Sequence, residues 1–141
     1  MNRRFVPFIL AVAAATLGLG CDGGIRVRGR VVDDSGRPVS NATIQFERGA
    51  NSRRFENRVT QDGCFKAGHV VAPGRYQYRV HVAAPGLQSA DGAIPTNEDN
   101  WAIVVLRRAG DHRSSSIVTA VGRWPDASAS GGCEFEQSVT K

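Results

Sequence analysis

The alternation of apolar and polar positions divides this chain at residue 21. Residues 5–19 form one uncharged stretch rich in Ala and Leu, whereas from Ile25 onward the apolar residues come in short runs separated by Gly, Pro, Asp and Asn. No stretch after Ile25 sustains a 3.6-residue period for three turns, so the fold class predicted is all-β. Ile25-Arg26-Val27-Arg28-Gly29-Arg30-Val31 alternates apolar with charged side chains, as a strand does with one face on a core and the other in water. Further strands are predicted at 42–46, 55–60, 64–66 with 69–71, 76–82 and 101–106, the last a continuous apolar run from Trp101 to Leu106. Trp101 is expected in the core. Turn chemistry punctuates them: Asp33-Asp34-Ser35-Gly36-Arg37-Pro38, Asp62-Gly63, and Ala72-Pro73-Gly74 each place Gly or Pro where a corner needs it, and 91–100 reads as a loop. About seven strands at this spacing predict a single Greek-key β-sandwich.

The first 21 residues predict export. Arg3-Arg4 is a short positive region, the run from Phe5 to Leu19 has signal-peptide length, and Gly18-Leu19-Gly20 supplies small residues before Cys21. The run is marginal for a transmembrane helix, which needs about 20 apolar residues. Leu17-Gly18-Leu19-Gly20-Cys21 resembles the bacterial lipobox, although Gly18 stands where that pattern prefers Leu. The resemblance implies removal of residues 1–20, a diacylglyceryl thioether and an added acyl chain such as palmitate on Cys21, and residues 21–24 as a short linker. Ordinary signal-peptidase cleavage, giving a secreted protein without lipid, is the alternative. A twin-arginine route is weaker, because the residues that should follow Arg3-Arg4 are missing. The expected location is therefore the cell or outer membrane, lipid-anchored and facing the periplasm or the exterior.

The chain of 141 residues has room for one domain and carries a formal charge of +5, two of which, Arg3 and Arg4, leave with the signal. Lys66 and Lys141 are its only lysines, and the arginines are scattered along the chain rather than gathered into a run, so a nucleic-acid partner is not expected. With Cys21 acylated in an oxidising compartment, Cys64 and Cys133 are the thiols left, and a bridge between them is expected. His69, His81 and His112 lie at no metal-ligand spacing, and neither a nucleophile elbow nor a phosphate-cradling glycine loop is present. No catalytic residue, metal or cofactor is predicted.

Taken together, Gly29-Arg30-Val31-Val32-Asp33-Asp34-Ser35-Gly36-Arg37-Pro38-Val39-Ser40-Asn41-Ala42-Thr43-Ile44, then Thr60-Gln61-Asp62-Gly63-Cys64-Phe65, then Pro73-Gly74-Arg75-Tyr76 and Ala84-Pro85-Gly86-Leu87 resemble the carboxypeptidase regulatory-like domain, in order, over roughly 25–107. The resemblance implies a transthyretin-like sandwich over 25–109, with Ile44, Phe65, Tyr76 and Val80 between the sheets, and it implies no chemistry. Hydroxyisourate hydrolase has a related sandwich but a Tyr-Arg-Gly-Ser terminus that Gln137-Ser138-Val139-Thr140-Lys141 does not match. Residues 110–141 read as a Ser/Gly-rich tail with one candidate strand at 116–121, either an appended edge or partly disordered. Two functions are compatible with this chain: a structural or protein-interaction module with an envelope protein partner, or a carbohydrate-binding module in which Trp124, beside Arg123 and Asp126, stacks on an envelope glycan.

Overall fold

The computed structural model describes residues 23–48, 54–123 and 132–133. Eight strands make two four-stranded sheets: β1 Gly23–Asp33, β2 Thr43–Glu47, β3 Phe55–Arg58, β4 Cys64–Val71, β5 Gln77–Ala83, β6 Ala90–Pro95, β7 Asp99–Leu106 and β8 Ser116–Val121. The strand orders are β4-β1-β7-β8 and β3-β2-β5-β6, with all neighbours antiparallel except β1 and β7. The fold is thus all-β, with one strand more than the seven expected.

Period-two alternation builds the core. Ile25, Val27 and Val31 of β1, Ile44 and Phe46 of β2, Val80 and Val82 of β5, and Ala102, Val104 and Leu106 of β7 are all buried between the sheets. Each large aliphatic or aromatic side chain removed from water contributes about 1.5–3 kcal/mol. Ile44, Phe65 and Val80 lie where expected, while Tyr76 is only partly buried and Tyr78 takes the core position.

Three readings are corrected. The segment 91–100, expected as a loop, contains β6, whose Ile94 and Ala90 pair with Tyr78 and Val82. Its Asp91, Gly92 and Pro95 are turn formers by type, but β6 is a sheet edge, where Pro is tolerated. Gly92 is required by packing rather than by a turn: a Cβ there would stand 2.9 Å from Ile117 Cγ2 of β8. The pieces 64–66 and 69–71 are one continuous β4. Trp101 does not enter the core, because β7 takes the phase that buries Asn100, Ala102, Val104 and Leu106 and turns Trp101, Ile103 and Val105 outward, half-buried.

The sides of the sandwich close differently. Between β3 and β4, His69 Nε2 lies 2.6 Å from Asn57 Oδ1 and its ring stacks on Phe55 at 4.4 Å. Between β6 and β8, the Thr119 hydroxyl donates to the Ala93 carbonyl at 2.9 Å. Residues 116–121 are the edge strand β8, paired with β7 from Asn100–Val121 to Val105–Ser116. A disulfide joins Cys64, at the start of β4, to the buried Cys133, with a Cα–Cα distance of 5.7 Å.

Candidate functional site

The loops at the end of the sandwich where β1 stops form a half-open cleft of about 380 Å³. The buried Leu106, at the end of β7, and Val39 lie beneath it with the partly buried Leu87, and its mostly polar rim carries Asp33, Asp34, Arg37, Ser40, Asn41 and Arg108.

Local chemistry fixes the first wall. Asp33 Oδ1 accepts from the Ser35 hydroxyl at 2.6 Å, the Ser35 amide at 2.9 Å and the Arg37 amide at 3.0 Å, while Oδ2 takes the Arg37 guanidinium at 2.9 Å. This is an Asx-type turn closed by Gly36 at φ 81°. The Ser35 hydroxyl first, with the two amides and Arg37, holds the Asp33 carboxyl well below the usual carboxylate range.

A second network ties the opposite wall, the β7–β8 connection, to the first. Asp111 accepts from the Arg113 amide at 2.9 Å and its guanidinium at 3.0 Å, and these bonds lower its pKa to about 2. The same guanidinium reaches Asp34 at 3.3 Å, and the two carboxylates raise its own pKa. Gln88, from the β5–β6 connection, donates to the carbonyls of Arg108 at 3.1 Å and Asp111 at 2.7 Å, and the Ser115 hydroxyl donates to the Gln88 carbonyl at 2.9 Å. Three loops are therefore laced into one rigid rim.

The charges on that rim are not equivalent. Asp33 pairs with Arg37 and the single Arg113 guanidinium is shared by Asp34 and Asp111, while the Arg108 guanidinium forms no ion pair among the described residues. The cleft offers a mostly polar lining that includes the side chains of Ser40 and Asn41, with the Arg108 guanidinium outside any ion pair among the described residues. The cleft is lined by neither a histidine nor a cysteine. Among the described residues no three His, Cys, Asp or Glu side chains could hold a metal.

The three histidines lie apart. His69 is in the β3–β4 closure, where burial lowers its pKa; His81 faces Asp91 at 3.1 Å on the outside of the second sheet; and His112 is exposed beside Asp111 at 3.5 Å. Trp124 and Cys21 lie outside the described residues.

A second surface escaped the sequence reading, which took the arginines as scattered. Arg26, Arg28 and Arg30 alternate along β1 and so share the outward face of the first sheet, where Lys66 of β4 stands directly opposite Arg28 and Trp101 of β7 flanks it on the other side. The signal was present in the period-two spacing. Arg26 pairs with Asp99 at 3.0 Å.

The family model of the carboxypeptidase regulatory-like domain matches residues 26–107. No curated protein matches this chain. Among solved structures, 3-chlorocatechol 1,2-dioxygenase from Rhodococcus opacus is similar, with 11% identity and a TM-score of 0.43 over 67% of this chain. This chain covers 58% of the length of that dioxygenase.

Proposed function

The chain belongs to the carboxypeptidase regulatory-like domain family, and from that premise we propose that it is a non-catalytic protein-interaction module, held at an envelope membrane by lipid on Cys21, that receives its partner in the loop-end cleft. The observation that carries this reading is the cleft itself: a mostly polar rim whose acids pair with Arg37 and Arg113, leaving the Arg108 guanidinium without an ion pair among the described residues. A rim laced by hydrogen bonds lowers the ordering cost of binding, and a guanidinium outside any ion pair favours a partner that presents a carboxylate.

The anchor is consistent with this placement. Cys21 precedes the first residue of β1, Gly23, by two positions, which reach at most about 7 Å when extended. The cleft forms where β1 ends, at Asp33, eleven residues along that strand from Gly23. An anchored domain would hold the cleft away from its point of attachment. The intact mass of the protein recovered from envelopes reads the anchor directly; a mature chain starting at Cys21 with no added acyl mass would leave secretion without lipid. The interaction itself is tested by capture from an envelope extract, in which the wild-type chain retains a protein that an Arg108→Glu chain does not. Equal retention by both would contradict the cleft as the binding surface.

A further inference from the structure

The two outward sheet faces differ in kind. On the second sheet several outward charges have an opposite neighbour: Arg79 and Arg54 both reach Glu47, at 3.5 and 3.0 Å, and His81 reaches Asp91, while the exposed Arg58 of β3 forms no ion pair among the described residues. Gln45 bonds Glu56 on the same face at 3.3 Å. That face carries both signs of charge, acids as well as bases. On the first sheet the outward residues of β1 and β4 carry Arg26, Arg28, Arg30 and Lys66, and Asp99 is the only outward acid on its four strands. Asp99 is taken by Arg26 at the end of the row. Arg28 and Lys66 meet no acid among the described residues, whereas Arg30, opposite the disulfide-bonded Cys64, has its Nε buried and stands apart from the open part of the face.

Register makes this arrangement costly to the fold. Arg28 and Lys66 are direct cross-strand partners, and like charges in that position destabilise an antiparallel pair. Beside the cations runs an apolar row: Trp101 next to Arg28, Ile103 next to Arg30, and across from Ile103 the Val118 of β8, which is 58% exposed. Unmatched cations bordering a Trp and aliphatic side chains are the composition of a surface that rests in a bilayer interface, with guanidinium and ammonium groups on lipid phosphates and the apolar row at headgroup depth. A soluble acidic polymer would match the cations and leave the apolar row in water.

We propose that the outward face of the first sheet, through Arg28, Lys66, Trp101, Ile103 and Val118, docks on an anionic phospholipid surface. The face includes β1, so lipid on Cys21, two residues before that strand, would deliver it to the bilayer; this part of the inference rests on the anchored reading above. The cleft, at the end of the sandwich, stays clear of the contact.

The test uses the chain from Asp22 onward without lipid, so that the anchor cannot drive binding, and reads its flotation with vesicles. Vesicles of phosphatidylcholine mixed with phosphatidylglycerol are expected to carry it, vesicles of phosphatidylcholine alone are not, and added salt should release it. Lys66→Glu should weaken partition onto the mixed vesicles by roughly tenfold. Because it places an acid opposite Arg28, the same change should leave the melting temperature unchanged or raised, an outcome that separates lost docking from lost folding. Equal flotation with both vesicle types, no flotation with either, or undiminished flotation of Lys66→Glu would overturn the proposal. Preferential binding to soluble polygalacturonate would also overturn it and assign the face to an acidic glycan. Absence of acyl mass on Cys21 would remove the anchor and leave the vesicle result standing.

Discussion

Individual residues here report on two different constraints, contact and charge. Gly29 sits in mid-strand, yet a Cβ on it would collide with the Phe65 ring and the Ala102 carbonyl, because that ring lies over the β1 backbone. Gly29→Ala should therefore cost about 1–3 kcal/mol by overpacking, read as a lower denaturant midpoint. Gly68→Ala has open space at the same distance and should change stability by less than about 0.5 kcal/mol. Asp111 shows the charge constraint. Its folded pKa, about 2, lies below the unfolded value, so its contribution is present above about pH 4 and is lost as pH falls toward the folded value. The stability difference between wild type and Asp111→Asn should be constant above about pH 4 and close between about pH 4 and 2. A gap that persists at the acid end would mean that Asp111 acts through packing.

At the scale of elements, strands with clean alternation were legible and those without were not. β1, β2 and β5 announce both their existence and their buried face, since Ile25, Ile44 and Val80 fall in phase with their neighbours. β7 announces its existence alone: in a run of six apolar residues nothing indicates phase, and the tertiary answer puts Trp101 outside. β6 carried the opposite signal, because Asp91, Gly92 and Pro95 serve an edge strand pressed against β8 and only the partner strand explains them. The cleft was legible in one wall, the turn after β1. The Asp111–Arg113 network and the Gln88 contacts join loops distant in sequence, and no local pattern encodes them. Cys64–Cys133 fastens β4 to a residue beyond β8, closing a separation of 69 residues. Replacing both cysteines with Ser should lower unfolding free energy by about 4 kcal/mol in the chain-entropy account, measured by denaturant unfolding without reductant. A wild-type protein unchanged by reductant would show that the bridge does not constrain the unfolded chain.

For the whole molecule, the functional account rests on a division of surfaces. One sheet face mixes acids and bases, the other sets Arg28 and Lys66 beside an apolar row, and the loop end gathers a cleft in which the Arg108 guanidinium forms no ion pair among the described residues. A purely structural sandwich has no need for these imbalances, and each has a cost that folding alone does not recover. The most direct measurement of the central claim is capture from an envelope extract divided into untreated and protease-treated halves, with wild-type and Arg108→Glu chains as parallel baits. An interaction module working through the cleft predicts a protein retained by the wild type from the untreated half and lost in the other three combinations. Retention that survives protease, or that is the same for both baits, would contradict it.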